Sequence, residues 1–256
     1  SYKPRASGSQ VRTIYGINPV TEAIRAGKNI DHVIVSGARN DKTAAAIMKA
    51  ATDADIEVRR APEEELRRLT KTDKHQGVAA VLAEEFRYGG FEDLIQAWKD
   101  SGDQAFFLIL DSIQDPQNLG SLVRTANAAG VHGVIIPKDR ASEVTSTVVK
   151  TSAGATEVTP IARETNLTRA IERLKEEGVW VAAVEGGCAE TVYSADLDRD
   201  IAIVIGSEGR GIRRLVKESC DFCVSIPMYG EISSLNAAQA GAVALFETRR
   251  QRLKPK

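Results

Sequence analysis

The stretch Ile201–Glu247, IAIVIGSEGRGIRRLVKESCDFCVSIPMYGEISSLNAAQAGAVALFE, constrains the fold more than any other part of the chain. It opens with a continuous β-branched run, Ile201–Ile205, which reads as a strand buried on both faces. Gly206-Ser207-Glu208-Gly209-Arg210-Gly211 follows at once, and Ile212–Val216 then takes helical spacing. A glycine-rich turn between strand and helix lets backbone groups approach a ligand closely. Its GxxGxG spacing is not the GxGxxG fingerprint of dinucleotide binding, which argues against a nicotinamide dehydrogenase. A second short strand, Phe222–Ile226, leads through Pro227-Met228-Tyr229-Gly230 to Ser233-Ser234-Leu235-Asn236. That turn opens a helix expected over Ser234–Gln251.

Upstream, the same alternation repeats. Strands are expected at Phe106–Leu110, Gly133–Pro137, Glu157–Pro160 and Val179–Val184. Helices are expected at Leu119–Ala129, Ser142–Ser152, Leu167–Glu177 and Ile212–Glu218. Strands alternating with helices predict a parallel sheet covered on both faces, the α/β class. A smaller α/β unit precedes it. Asn18-Pro19 reads as a helix entry with proline at the first helical position. Val33–Val35, Lys42–Ala54, Glu57–Arg59, Pro62–Leu69 and Val78–Leu82 then alternate strand and helix. The domain reading is a basic, disordered tail over 1–12, a small domain over 13–85, a linker over 86–104 around Gly89-Gly90 and Gly102, and a second domain over 105–256.

Composition bounds the function. The chain has 256 residues and a formal charge of −1, so no global basicity marks a nucleic-acid binder. The charge is uneven, with 14 Lys and Arg against 12 Asp and Glu in residues 1–85, and 20 against 23 in the rest. The two ends are basic. No apolar run reaches membrane-span length and no signal peptide precedes the globular sequence, which predicts a cytoplasmic protein with no membrane partner. Cys220-x-x-Cys223 has no second pair or histidine partner, so Cys188, Cys220 and Cys223 read as buried thiols and no metal is expected. His32, His75 and His132 fit no motif and read as structural or surface residues, with His75 expected close to RNA.

Three blocks stand in order: Asn118-x-Gly120-x-x-x-Arg124-Thr125-Ala126, Gly206-Ser207-Glu208-Gly209-x-Gly211, and Ile226-Pro227-Met228-x-Gly230-x-x-x-Ser234-Leu235-Asn236. With them the chain resembles the SPOUT superfamily, in its SpoU/TrmH branch of RNA ribose 2′-O-methyltransferases, from about Ile14 to the C-terminus. The resemblance implies a first domain similar to ribosomal protein L30e and a catalytic domain with a C-terminal trefoil knot, which no spacing in the sequence reveals. It implies S-adenosylmethionine as cofactor, a homodimer packed through the last helix, and an RNA partner, 23S rRNA guanosine first. A tRNA ribose or an rRNA adenosine is the alternative within the class, and a non-catalytic RNA-binding assembly factor the alternative outside it.

By itself Asn118 reads as a helix N-cap, Glu208 as a surface carboxylate and Ser234 as a cap. Gly120, placed at the second helical position, suggests a close approach to the helix start. Arg124 lies where a cation opposes the helix dipole. The resemblance carries catalytic roles to Asn118, Arg124, Glu208, Ser234 and Asn236. It carries cofactor contacts to Gly206, Ile226 and Leu235, with Gly209 and Met228 beside them and Gly186 on the far wall of the cleft. Ile226 and Leu235 are of the type that lines an adenine slot. Arginine is almost never deprotonated, so Arg124 reads as a phosphate and oxyanion ligand, and the proton acceptor stays open.

Overall fold

The computed structural model describes residues 13–83 and 86–253. The tail expected over 1–12 and the last three residues of the basic C-terminus lie outside them. The chain divides into two compact units, one ending at Phe86 and taking in Thr145–Thr147, the other comprising Arg87–Val144 and the chain from Val148 onward.

The first unit runs β1 (Thr13–Tyr15), α1 (Ile17–Arg25), β2 (Ile30–Ser36), α2 (Lys42–Asp53), β3 (Glu57–Ala61), α3 (Glu63–Thr70) and β4 (Val78–Leu82). Its sheet has the order β1-β4-β2-β3, with only β2 and β3 parallel. Alternation along β2 divides the core. Val33 and Val35 pack with α1 and α2, while Ile34 meets Leu66 of α3 on the opposite face. The result is three layers, helix–sheet–helix. The α1 helix starts at Ile17 behind Gly16, two residues before Pro19, the position expected to open it. His75 is buried, and its Nδ1 accepts the Gly77 amide proton, a structural role.

The second unit continues with α4 (Phe91–Ser101), β5 (Phe106–Asp111), α5 (Pro116–Ala129), β6 (Gly133–Pro137), α6 (Ser146–Thr151), a 3-10 turn at Ala155–Glu157, β7 (Ile161–Glu164), α7 (Leu167–Glu176), β8 (Trp180–Val184), β9 (Glu190–Thr191), β10 (Ile201–Gly206), α8 (Arg214–Ser219), β11 (Phe222–Ser225) and α9 (Ala237–Arg252). All seven strands pair in parallel in the order β7-β6-β5-β10-β8-β11-β9. One face carries α4, α7 and α8 over Phe107, Ile109, Val181, Ala202 and Val204. On the other, α9 packs against both α5 and β10.

Several expectations need correction. The segment read as a linker over 86–104 contains α4, whose Phe91, Leu94 and Ile95 belong to the core. A Cβ built on Gly133 would stand 2.4 Å from Leu94 Cγ, so β6 accepts α4 only because it has glycine there. The strand expected at Glu157–Pro160 begins instead at Ile161, after the 3-10 turn. The last helix starts at Ala237, not Ser234. Its small-residue face is used within the chain: Ala237, Gly241 and Ala244 are buried, and a Cβ on Gly241 would lie 2.4 Å from Leu122 Cδ2 of α5. Ala238, Ala240 and Ala242, the other small residues of this helix, are half-buried.

Cysteine pairing also departs from the sequence reading. Cys188, in the turn after β8, is bonded to Cys223 of β11 with their Cα atoms 5.7 Å apart, and Cys220 is the free thiol. Neighbouring parallel strands bring together two residues 35 apart, which no local spacing reveals. Burial pushes the Cys220 thiol up from 9.0 to about 12. Its thiolate population near pH 8 is then roughly a thousandfold below that of an ordinary cysteine, a shift of about three pH units. We expect iodoacetamide at pH 8 to spare Cys220 in the folded protein and label it quickly in urea. Native labelling at the rate of a small free thiol, read by mass spectrometry, would contradict this burial.

Candidate active site

In a parallel sheet, ligands bind beyond the carboxyl ends of the strands, where the strand order reverses. Here the chain moves outward from β5 to β6 and β7, then crosses back to β8, and β10 inserts between β5 and β8. Four segments meet beyond that end: Ser112–Asp115 after β5, Glu185–Ala189 after β8, Ser207–Arg213 after β10, and Ile226–Asn236 after β11.

Asp111 closes β5 and is fully buried. Its carboxylate accepts the Arg213 backbone N–H and the Arg213 Nε–H, both at 2.7 Å, and the Ser112 hydroxyl at 3.1 Å. A buried carboxylate requires such partners, since desolvation alone is strongly unfavourable. The bonds tie the start of α8 to the end of β5. The intervening turn is pinched by reciprocal backbone bonds between Ser207 and Gly211. A Cβ on Gly206 would stand 2.3 Å from the Gly211 carbonyl carbon, so no other residue fits there. Gly209 holds φ +76° at the tip, beside Glu208.

Glu208 meets two asparagines. Asn118 Nδ2 donates to Glu208 Oε1 at 2.7 Å, Asn236 Nδ2 donates to the same oxygen, and Asn236 Nδ2 donates to Asn118 Oδ1 at 2.9 Å. The direction of this network follows from the backbone. Asn236 is the N-cap of α9, its Oδ1 accepting the Ala238 amide at 2.8 Å and the Gln239 amide at 3.4 Å. Its oxygen is thus committed and its NH2 must face outward. That NH2 occupies the Asn118 oxygen, which turns the Asn118 NH2 onto Glu208. Bonds to a charged acceptor are the stronger kind.

Asn118 is not itself a cap. Asp115 caps α5 by accepting the Gln117 amide, Pro116 takes the first helical position, and Asn118 is the third helical residue. Gly120 serves packing, because a Cβ there would lie 2.6 Å from Thr151 Cβ and 2.9 Å from the Val148 carbonyl oxygen. Its close neighbour is α6, where the sequence suggested a ligand.

The remaining predicted residues fall into two groups. Ile226 and Leu235 are half-buried at the end of β11 and just before the α9 cap, while Met228 is exposed. Cβ atoms built on Gly186 and Gly209 would meet nothing within 4 Å, so open space lies over both turns. Ser234 is exposed and takes no part in the Asn118–Glu208–Asn236 network. Arg124 stands apart as well. Six residues beyond Asn118, it is about 9 Å further along α5 and roughly a third of a turn round it. It is exposed and makes no ion pair or hydrogen bond among the described residues. Sequence reasoning missed Asp111 and Arg213; a lone acid at the end of a fully apolar strand was the available signal. Among the described residues no group of three or more His, Cys, Asp or Glu is arranged to hold a metal ion, and no helix is long and apolar enough to cross a membrane.

Comparison with known proteins places the chain in a family. The profile of the SpoU rRNA methylase family matches residues 105–246, and that of an RNA 2′-O ribose methyltransferase substrate-binding domain matches residues 13–88. The chain belongs to the SpoU family of RNA methyltransferases. It is 40% identical over 239 residues, 93% of its own length and 95% of the relative's, to YacO of Bacillus subtilis, assigned to the TrmH family of tRNA/rRNA methyltransferases. Among solved structures, the SpoU methyltransferase AviRb from Streptomyces viridochromogenes in complex with AdoMet shares the fold, with a TM-score of 0.58 at 23% identity, over 95% of this chain and 91% of that one. An AdoMet-bound rRNA methyltransferase from Sinorhizobium meliloti superposes with a TM-score of 0.58 at 23% identity, over 96% and 89%.

The cap and the network separate by substitution. Asn236→Ala should lower stability by about 1 kcal/mol through loss of the cap, a fall in Tm of roughly 2–4 °C. Asn236→Ser should recover most of that stability, since serine caps well, yet its shorter single hydroxyl cannot replace the NH2 that donates to both Glu208 and Asn118, and alanine has no donor at all. Methyl transfer should therefore stay low in both. Serine restoring activity together with stability would show that the amide matters only as a cap.

Proposed function

We propose that this protein methylates a ribose 2′-hydroxyl of RNA, with S-adenosylmethionine as methyl donor and a guanosine of 23S rRNA as first candidate. The observation that carries this reading is the Asn118–Glu208–Asn236 network at the sheet's crossover point, in a chain of the SpoU family. The match of residues 13–88 to a substrate-binding domain of ribose methyltransferases supports RNA ribose as the acceptor. That first unit is proposed to be L30e-like and to grip the RNA.

The surroundings suit the donor. Half-buried Ile226 and Leu235 offer apolar contact for an adenine, and the open space over Gly186 and Gly209 leaves backbone groups accessible. The bound cofactor supplies an electrophilic methyl group on a sulfonium with a neutral leaving group. The chain's own residues then act by positioning. Asn118 and Asn236 hold Glu208 Oε1, leaving Oε2 without a described partner and able to accept a hydrogen bond from the reacting hydroxyl. Arg124 binds phosphate and stabilises charge developing on oxygen. A homodimer belongs to this proposal, because within one chain Arg124 stands away from the network and a second copy would supply it. A trefoil knot through the C-terminal segments and a cytoplasmic location complete the reading.

Ribose-methylation mapping of total RNA from a strain lacking the protein tests the substrate. One lost 23S guanosine methylation is expected, and an unchanged ribose map would overturn the reading. S-adenosylhomocysteine should raise Tm and NAD should not. Arg124→Ala should abolish transfer while leaving S-adenosylhomocysteine affinity within a few-fold, and Arg124→Lys should fail too, since a point charge does not reproduce a planar fork. Equal losses of rate and cofactor affinity would remove Arg124 from the acceptor side.

A further inference from the structure

The turn after β8 crosses the strand that leads to Ile226. Val224 of β11 pairs with Val184 on one side and with Glu190 on the other, so residues 185–189 pass over one face of β11 to reach β9. Gly186 and Gly187 lie in the middle of that crossing, with open space where their side chains would be. The Cys188–Cys223 bond fastens the crossing to β11. We propose that this pair is a reversible thiol–disulfide site, set by low-molecular-weight disulfides and dithiols, and that it controls how tightly the cleft beside Gly186 holds S-adenosylmethionine. The inference rests on the cofactor reading of that cleft and adds a covalent control to it.

The crossing is firm at its ends and loose in its middle. The Glu185 N–H donates to the Val224 carbonyl at 3.0 Å, the Glu185 carboxylate pairs with Lys217, and Glu190 is in register with Val224. Between these ends, Ser225 Oγ lies 3.3 Å from the Cys188 carbonyl oxygen and 3.1 Å from that of Glu190, and a hydroxyl has one proton for the two. Two consecutive glycines, Gly187 with φ +82°, leave this backbone free to rearrange. The disulfide is the covalent restraint on that freedom. Its loss also supplies a competing bond. The Cys188 sulfur lies 3.2 Å from the Glu185 carbonyl oxygen. Reduction makes it a thiol, whose S–H donates to that oxygen inside the turn, so each redox state has its own partner. Closed, the bond spares the cofactor the entropy of ordering the crossing, which favours binding.

The chemistry is open to small reagents. Cys188 and Cys223 are both half-buried, and their Cα separation of 5.7 Å is an ordinary span for a disulfide. Cys220 does not compete for Cys223, because burial keeps its thiol protonated. A small disulfide, RSSR, oxidises the pair in two exchanges. The Cys188 thiolate attacks one sulfur of RSSR and one thiolate leaves. The Cys223 thiolate then attacks the Cys188 sulfur, the internal S–S bond forms and the second small thiolate leaves. The two released thiolates take up the two protons that the cysteines lost, and a dithiol reverses the sequence. In the cytoplasmic location proposed above, bridges of this kind are characteristically transient and redox-sensing.

The test prepares full-length protein oxidised with glutathione disulfide and reduced with dithiothreitol, its state read by mass after alkylation. The Kd of S-adenosylhomocysteine and amide hydrogen exchange over residues 185–190 are measured in each state, with Cys188→Ser, Cys223→Ser and Cys220→Ser alongside. Reduction of the wild type should raise Kd about fivefold or more, the low end of ordinary coupling between two sites, and should speed exchange over 185–190. Cys188→Ser and Cys223→Ser should show the weaker Kd under both treatments, while Cys220→Ser follows the wild type. A Kd that reduction leaves unchanged, even with a lower Tm, overturns the proposal, since the bridge would then be structural only. So does an equal response to reduction in Cys188→Ser. Should neither state of the wild type bind S-adenosylhomocysteine, the cofactor reading of the cleft fails instead. Hydrogen exchange then decides: faster exchange on reduction confined to 185–190 supports redox control of the crossing, and equal exchange overturns it.

Discussion

One hydrogen-bond acceptor fixes the polarity of the whole centre. The side-chain oxygen of Asn236 is taken by the first amides of α9, and every later donor and acceptor follows from that commitment. The helix supplies the direction because its first amides have no partner of their own. From there the chain of bonds runs Asn236 to Asn118 to Glu208 and leaves a single outward-facing carboxylate oxygen. Both asparagines are uncharged, so they orient Glu208 without cancelling its charge. Stability of α9 and orientation of the centre therefore share one atom.

The second support is Asp111. Parallel register sets it beside Gly206, so the turn bearing Glu208 begins next to the strand that leads into the Asn118 helix. Its bonds to Arg213 close that turn from behind. Asp111 and Asn236 thus restrain Glu208 from opposite sides, one through backbone closure and the other through a side-chain bond. The carboxylate at the tip is held by two elements more than a hundred residues apart in sequence.

Much of this was legible in the sequence, for reasons that differ by element. The buried strands Phe106–Asp111 and Ile201–Gly206 announce themselves as continuous apolar runs, because helices cover both faces. Asn118, Glu208 and Asn236 were nominated by their motifs, and the fold brings them together. Ser234 and Arg124 were nominated by the same motifs, and one chain does not bring them there. The α4 helix was misread because its glycine flanks look like linker punctuation, whereas Leu94 seats on Gly133, in a strand remote from it in sequence. The Cys188–Cys223 pair depends on which strands become neighbours, and order within a sheet is not written locally. The turn after α6 defeated periodicity because Ala153 and Gly154 leave the regular regions altogether.

The position of β10 has a consequence for how the protein comes into being. It alone bridges β5 and β8, so the strands on its two sides share no hydrogen bonds with each other. Yet β10 follows β5 by nearly a hundred residues. The sheet therefore cannot zip up in the order of synthesis: β5, β6 and β7 can pair early, while β8 stays apart from them until β10 closes the gap, a non-local closure of the kind that slows folding. The segment carrying Glu208 extends directly from that strand. A nascent chain that has not yet delivered β10 has neither a continuous sheet nor Glu208, and the centre is complete only once Asn236 follows.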